Sequence, residues 1–194
     1  MKVLIACEES QAVCIEFRKL GHEAYSCDIL PCSGGHPEWH IKGNVSDRLH
    51  RNWDLIIAHP PCTRIANSGV RWLNERNLWK ELSIACNFFQ EFQKCAIRHK
   101  IPMCIENPIP HKYAVEYIGK YTQLIQPWQF GHPESKAICL WLYGLPKLQP
   151  TDIVSGRQQR IWRMPPSKDR AKLRSKTFPG IARAMASQWG NILN

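Results

Sequence analysis

The stretch WDLIIAHPPCTRIANSG occupies residues 53–69 and carries the clearest fold signal in the chain. Five residues typical of a buried strand, 54–58, run directly into His59, two prolines and Cys62. Proline has no N–H with which to extend a strand ladder, and it stiffens the backbone around it. We therefore predict a core strand that ends at the prolines and holds the Cys62 thiol on a rigid tip.

Strand and helix signals alternate on both sides of this stretch. The stretches 2–6, 22–30 and 102–106 are typical of further strands, whereas 10–21 and 77–100 have apolar residues at helical spacing. Strands separated by helices predict an α/β fold whose sheet is mostly parallel and has helices on both faces.

Parallel strands deliver the residues that follow them to one edge of the sheet, where folds of this kind bind ligands. The elements expected at that edge are Cys7–Gln11, Asp28, His59–Cys62 and Glu106–Pro108. Their convergence is a stronger indication of a site than any one of them.

The length of 194 residues suits one α/β domain with a short extension. We divide the chain into an α/β domain at 1–146 that carries this sheet-edge site, a basic segment at 147–176 and a C-terminal helix at 177–194 that packs back on the domain. No apolar run is long enough for a membrane span. The apolar run near the start is too short for a signal peptide.

Nine cysteines are present, an odd number without the spacing of a disulfide scaffold. Several lie in apolar runs, where a reduced cysteine behaves as a small hydrophobic residue. The pattern predicts a reducing, cytoplasmic environment.

The net charge is +10, which suggests a polyanionic partner. Residues 156–176 contain eight Lys or Arg and one Asp, with the aromatic Trp162 among the arginines. This composition favours a segment that contacts nucleic acid, and a solvated basic face is the alternative.

With these residues in view, the chain resembles the cytosine-C5 DNA methyltransferases. Their motif Pro-Pro-Cys-Gln, followed by Ser and Gly, is matched by PPCTRIANSG, with Thr63 for Gln, Ala66 for Ser and Gly69 kept. Their Glu-Asn-Val is matched by ENP at 106–108. Through AHPPCT, FGHPESK and PGIARAMASQWG the whole chain is similar to compact phage-type members. The resemblance implies a Rossmann-like S-adenosylmethionine-dependent methyltransferase fold.

The resemblance also implies that Cys62 adds to carbon 6 of cytosine while Glu106 supplies a proton near N3. Because an ordinary thiol is mostly protonated at neutral pH, we expect a polar pocket that lowers the pKa of Cys62. A buried free cysteine, and a glutamate that caps a turn or pairs with an arginine, are the plain alternatives. Relatives that modify an exocyclic nitrogen have an aromatic residue after the prolines, so cysteine favours attack on carbon.

S-adenosylmethionine is the methyl donor that the resemblance implies. The glycine-rich loop of the family falls on residues 7–12, CEESQA, which contain no glycine, so the backbone must approach the cofactor differently. Asp28 matches the acid that holds the ribose hydroxyls, and a cap is its alternative role. Asn44 stands where the family has an Asp beside the adenine. The candidate cofactor-binding residues are Cys7, Glu8, Ser10, Gln11, Asp28, Asn44 and Pro60.

Contacts with nucleic acid are expected from the basic segment and from residues near the nucleophile. Lys136 and Ile138 replace the two arginines of the family's Gln-x-Arg-x-Arg strand, and Lys136 is otherwise a plain surface residue. About 30 residues, 147–176, are available for target recognition, which predicts a short or relaxed sequence preference. The candidate nucleic-acid-binding residues are Arg64, Arg71, Lys136, Arg157, Arg160, Arg163, Lys172 and Arg174.

A zinc site is a minor alternative for one loop. Cys27, Cys32, His36 and His40 have a spacing that could ligate the metal. The glycines in this loop and its overlap with the strand of Asp28 favour a coincidence, so we predict no metal.

The leading prediction is a DNA cytosine-C5 methyltransferase that flips its target base and modifies phage DNA in the host cytoplasm. No obligate protein partner is evident. A second hypothesis keeps the chemistry but places it on RNA, single-stranded DNA or a cytosine nucleotide. A third is a catalytically inactive nucleic-acid-binding module on a methyltransferase fold.

Overall fold

A seven-stranded sheet forms the centre of the computed structural model, which describes residues 1–192. Residues 193 and 194, the end of the predicted C-terminal helix segment, lie outside the described residues. The strands are β1 Lys2–Ala6, β2 Glu23–Asp28, β3 His40–Lys42, β4 Leu55–Ala58, β5 Met103–Asn107, β6 Gln123–Ile125 and β7 Ile138–Tyr143.

The order of the strands across the sheet is β3-β2-β1-β4-β5-β7-β6. The first five in this order are parallel, whereas β7 is antiparallel to both β5 and β6. Compared with the 3-2-1-4-5-6 order of dinucleotide-binding folds, an antiparallel strand is inserted before the last position.

Seven α-helices accompany the sheet in the described part of the chain. They are α1 Ala12–Lys19, α2 Arg71–Glu75, α3 Trp79–His99, α4 Lys112–Ile118, α5 Arg160–Arg163, α6 Arg170–Ser175 and α7 Pro179–Trp189. Short 3-10 helices occupy Pro37–Trp39, Val45–Asp47, Asn67–Gly69 and Pro127–Gln129. None of the described helices is long and apolar enough to cross a membrane.

The two faces of the sheet are covered by different helices, as predicted. Along β1, Val3 and Ile5 belong to the hydrophobic cluster that contains α1 and α7. Leu4 and Ala6 belong to the opposite cluster, which contains α3 and α4. This alternation follows from the two-residue repeat of a strand, and it leaves β1 buried on both faces.

Several elements were not predicted from the sequence. The three-residue strands β3 and β6 and the short helices α2 and α4 carry too few residues to show a periodic pattern. The basic segment contains α5 and α6, which are also too short to reveal a helical repeat.

The first turn of α7 lies directly against the chain at Phe130. The N–H of Gly180 donates to Nε2 of His132 at 2.9 Å. A Cβ at position 180 would collide with the carbonyl oxygen of Phe130, which is backbone and cannot swing away. Glycine at this position therefore permits the close approach of α7.

Gly180→Ala is expected to lower the free energy of unfolding by about 1–3 kcal/mol, because the added methyl overfills a packed contact. Gly43→Ala is the matched control, since a Cβ there meets open space and should change stability by less than about 0.5 kcal/mol. Urea unfolding measures both. Equal stability of the two variants would contradict the close approach at Gly180.

Candidate active site

The carboxyl ends of β1, β4 and β5 meet at one edge of the sheet. The last residues of β1 and β4, Ala6 and Ala58, are paired with each other, and Ala58 also pairs with β5. Cys7, His59 and Glu106, which come next along the three strands, are therefore brought to the same edge. This is where parallel α/β folds place their ligands.

His59 and Glu106 form a mostly buried pair at this edge. Nδ1 of His59 lies 2.9 Å from Oε2 of Glu106, and the two side chains are 11% and 15% exposed. Burial acts to raise the pKa of Glu106, but the hydrogen bond and charge of His59, with the charge of Lys136, hold it below its ordinary value. Burial acts to lower the pKa of His59, but Glu106 and Glu8 raise it above its ordinary value. Both shifts favour a carboxylate–imidazolium pair in which Nδ1 donates.

Cys62 is half-buried close to this pair, and its thiol is not activated. Burial raises the pKa of Cys62 and the negative charge of Glu106 raises it further, while Lys136 and Arg174 lower it only in part. The expectation that a polar pocket lowers this pKa is wrong. The physical reason is that a thiolate here would lose hydration and stand near a carboxylate.

The loop that carries Cys62 is held by the segment that follows β5. Nδ2 of Asn107 donates to the carbonyl of Pro60 at 2.8 Å. His111 accepts the N–H of Ala114 on Nδ1, so its proton is on Nε2, which donates to the carbonyl of Arg64 at 2.8 Å. Asn107 and His111 are both buried, and they fix the loop on either side of the thiol.

His59, Asn107 and His111 are site residues whose roles the sequence did not reveal. Each of their bonds into the site joins residues 47 positions apart. A contact of that range leaves no periodic or local pattern, although His59 and Asn107 fall within the two quoted motifs.

The loop after β1 makes turns that usually require glycine. Cys7 and Gln11 have φ angles of 59° and 57°, in the left-handed region that is uncommon for other residues. The side chain of Gln11 is fully buried and bonds both the N–H and the carbonyl of His36, at 3.1 and 2.8 Å. A Cβ on Gly34 would approach Gln11 too closely. Packing against the 34–36 segment therefore holds the strained loop in place.

Glu8 is used by the fold itself. Its carboxylate is buried and accepts the N–H groups of Val13 and Cys14, at 2.7 and 3.2 Å, which caps the first turn of α1. The Oγ of Ser10 accepts a long bond of 3.5 Å from the N–H of Ala12. The side chain of Glu8 is therefore directed into the protein rather than toward a ligand.

The pairing of β2 with β3 brings Asp28 and Asn44 together. The N–H of Gly43 donates to the carbonyl of Asp28 at 2.9 Å. Oδ1 of Asp28 accepts the N–H of Leu30 at 2.9 Å, and Oδ1 of Asn44 accepts the N–H of Ser46 at 3.1 Å. Each side chain caps a local turn through one atom and keeps a second polar atom for a ligand.

The basic segment packs over the same edge of the sheet. Nζ of Lys172 lies 3.6 Å from Oε2 of Glu9, in the loop after β1. Nζ of Lys136 donates to the carbonyl of Arg174 at 2.7 Å. These contacts bring positive charge to the site and connect α6 with the candidate cofactor loop.

Two arginines of the segment anchor it to the domain. Nε of Arg160 donates to Glu134 at 3.0 Å, and Glu134 is only 1% exposed. The guanidinium of Arg157 lies 3.8 Å from the ring centre of Trp128. Arg163 is exposed and remains accessible to a phosphate.

A second basic group lies just after the nucleophile loop. The guanidinium groups of Arg71 and Arg76 lie 4.2 and 4.0 Å from the ring centre of Trp72. Arg64 is half-buried beside Cys62 in the chain. An aromatic ring flanked by arginines is a surface suited to bases and phosphates.

The candidate zinc ligands are engaged elsewhere. Nδ1 of His40 lies 2.8 Å from Oγ of Ser26, and its Nε2 lies 2.9 Å from the carbonyl of Leu30. Cys27 lies within β2 and is fully buried. Within residues 1–192, no three metal-ligating side chains come together.

Two surface cavities lie away from Cys62. One, of about 420 Å³, is beside α1 and includes Arg18, His36 and Trp39. The other, of about 330 Å³, lies where β4 begins and includes Trp53 and His99. The candidate site is therefore neither of these cavities. It is the carboxyl edge of the sheet, over which the basic segment packs.

Comparison with known proteins bears on the fold. No protein-family model matches the chain, and no curated protein shows significant similarity to it. The methyltransferase EhMeth of Entamoeba histolytica aligns with a TM-score of 0.50 and 13% identity, over 78% of this chain and 57% of that one. The Dnmt2 methyltransferase of S. pombe aligns with a TM-score of 0.47 and 15% identity, over 72% and 48%.

The chain spans about half the length of these two structures, 57% and 48%. At this level of identity the match to EhMeth shows the fold alone. Together with the strand order, it confirms the predicted Rossmann-like α/β fold with a mostly parallel sheet.

Glu106→Gln is expected to lower the pKa of His59, because it removes the carboxylate that offsets the burial of the imidazole. Histidine titration followed by NMR measures this shift. His132 is the control, since its pKa is held low by burial and by Arg183 and Arg160, away from Glu106. An unchanged His59 titration would show that Glu106 does not control this imidazole.

Proposed function

We propose that this protein transfers a methyl group from S-adenosylmethionine to carbon 5 of cytosine in DNA, through a covalent bond to Cys62. The observation that carries the proposal is that the loop of Cys62 is tied to the end of β5, which bears Glu106, at the carboxyl edge of the sheet, where Asn107 donates to the carbonyl of Pro60 at 2.8 Å. A cysteine on a rigid proline-bounded loop and a carboxyl group at the end of the neighbouring strand are the two groups that this chemistry requires.

Cys62 begins the reaction by forming a bond from Sγ to carbon 6 of the base. The electrons of the ring then move toward N3. A proton supplied there by the carboxyl group of Glu106 stabilises the developing negative charge. Because the pKa of Cys62 is raised, the thiol must lose its proton before it attacks. The positive charges of Lys136 and Arg174 favour that loss. After methylation, a base such as water removes the proton on carbon 5 and Cys62 leaves.

S-adenosylmethionine supplies an electrophilic methyl group on its sulfonium. The residues suited to hold it follow β1, β2 and β3. Asp28 and Asn44 each keep a polar atom, for the ribose and the adenine. The left-handed turns at Cys7 and Gln11 let the main chain approach a ligand closely, and Glu8 then contributes through its backbone. Ser10 and Pro60 complete the candidate set.

Nucleic acid is the partner that the charge supports. The net charge of +10 and the exposed Arg163 provide attraction to phosphates, and the cluster of Arg71, Arg76 and Trp72 lies on the chain just after the nucleophile. Lys172 and Lys136 approach the site itself. Arg157 and Arg160 are anchored to the protein, so we assign phosphate binding mainly to the other basic residues.

The biological role that we propose is modification of phage DNA in the host cytoplasm, with a short or relaxed sequence preference. Its support is the resemblance of the motifs to compact phage-type enzymes and the small size of the basic segment. RNA or single-stranded DNA as the substrate is an outcome of the test that follows.

The test is trapping on 5-fluorocytosine, whose fluorine at carbon 5 cannot leave as a proton. With S-adenosylmethionine and duplex DNA that contains this base, we expect a covalent adduct on Cys62, detected by denaturing electrophoresis and located by mass spectrometry. Cys62→Ala should form no adduct yet still bind DNA. Cys32→Ala, which removes another half-buried thiol, should react as the wild type does.

An adduct on RNA or single-stranded DNA, but not on duplex DNA, would keep the chemistry and change the substrate. No adduct on any of the three, with binding retained, would leave the inactive binding module. An adduct on a cysteine other than Cys62 would overturn the assigned nucleophile.

Arg163→Glu is expected to weaken DNA binding and to reduce the salt dependence of the association constant by about one ion or more. Lys120→Glu makes the same charge change at an exposed lysine outside the basic segment, just before β6, the last strand of the sheet, and should have a smaller effect. Binding titrations at several salt concentrations measure both. Equal effects would indicate that net charge, rather than the basic segment, controls binding.

A further inference from the structure

His59 occupies the first position after β4, and its backbone is fixed. Its N–H donates to the carbonyl of Ala6 at 2.9 Å, which continues the ladder between β1 and β4 by one bond. Pro60, which follows, restricts the backbone further. The imidazole is therefore placed at the sheet edge as firmly as the strand itself.

The imidazole is held between charged groups from three other elements. Glu106 at the end of β5 bonds Nδ1 at 2.9 Å, while Glu8 after β1 and Lys136 before β7 act on it through their charges. Nε2 is buried and has no hydrogen-bond partner among the described residues. A buried imidazole with only one of its nitrogens bonded is costly for the fold, which suggests a function for it.

The chemistry proposed for Glu106 requires a proton that this carboxyl group does not hold by itself. A group that protonates N3 must carry a proton when the base arrives. His59 and Lys136 both favour the ionised form of Glu106, which has no proton to donate. The imidazolium of His59 can supply that proton through the hydrogen bond that it shares with Glu106.

We propose that His59 holds the proton that Glu106 passes to N3 of the base, an inference that rests on the function proposed above. His59 acts through Glu106 and does not touch the base, so it is a positioning residue that also stores a proton. The orphaned Nε2 keeps its own proton throughout.

The site, the base and water together supply and accept every proton and electron pair of the step. The thiol proton of Cys62 goes to water, and the sulfur lone pair forms the bond to carbon 6. The carbon 5–carbon 6 π electrons form the carbon 4–carbon 5 double bond, and the carbon 4–nitrogen 3 π electrons become a lone pair on N3. Glu106 first takes the Nδ1 proton of His59, and its carboxyl then gives a proton to N3, so that His59 ends neutral and Glu106 is again a carboxylate. When Cys62 is eliminated, the N3 proton returns by the same path and His59 is recharged.

The test compares His59→Asn with the wild type in adduct formation on 5-fluorocytosine DNA. Asparagine places an N–H near the position of Nδ1, so it preserves the bond to Glu106 but cannot give up a proton. We expect adduct formation about a hundred-fold slower at pH 7, with unchanged DNA affinity. His99→Asn, at the exposed end of α3, is the control and should react at the wild-type rate.

Two further readouts separate proton storage from simple support of the loop. The wild-type rate should fall at high pH as the imidazolium loses its proton, and this fall should move to lower pH in His59→Asn. In a Glu106→Gln background, His59→Asn should have no additional effect, because the two residues act as one unit.

Wild-type rates in His59→Asn would overturn the inference and leave the proposed function intact. Additive losses with Glu106→Gln, or an unmoved pH profile, would also overturn it by making His59 structural. If the wild type forms no adduct on any substrate, the proposed function and this inference fall together. Should His59→Asn unfold, direct NMR titration of His59 in the wild type decides, since an imidazole that is neutral below pH 6 contradicts proton storage.

Discussion

The candidate site depends on the parallel register of β1, β4 and β5. Because Ala6 and Ala58 end their strands side by side and β5 continues alongside, the residues that follow emerge together. The ladder extends one bond further, to His59, before the prolines end it. A shift of any of these strands by one residue would reverse its side chains and separate the groups that the proposed chemistry requires.

Charge at this edge is arranged around one buried pair. His59 and Glu106 stabilise each other's ionised forms, and the carboxylate in turn opposes ionisation of Cys62. The same edge receives Lys136 and the carbonyl of Arg174, through which the basic segment is docked. The edge therefore combines a thiol whose ionisation is opposed with a carboxylate–imidazolium pair.

The loop after β1 contains no glycine. Packing contacts hold its left-handed turns, which glycine would otherwise permit. Gln11 adopts a left-handed conformation that costs free energy in isolation, and its two bonds to His36 offset that cost. Glu8 caps α1 from the same loop. A family pattern based on glycine spacing would miss this loop.

Much of the architecture was predictable from local patterns. The run KVLIA forms β1 with the predicted bounds, and α3 begins and ends within two residues of the predicted 77–100. Cys62 and Glu106 were predicted as site residues because each stands at the end of an apolar strand run, and their catalytic roles stay predictions. The strands β3 and β6, and the roles of Asn107 and His111, were not found, because short elements and distant partners leave no repeat to read.

The sequence by itself determined the alternation of strands and helices, the end of β4 at the prolines and the placement of the candidate groups at strand ends, since these follow from periodicity and backbone restriction within a few residues. Only the tertiary structure decided that β7 enters antiparallel beside β5, that His59 pairs with Glu106, and that Cys62 rests as a thiol. Strand order and side-chain ionisation both depend on residues that are far apart in the chain. These residues become buried and approach one another only when the sheet forms.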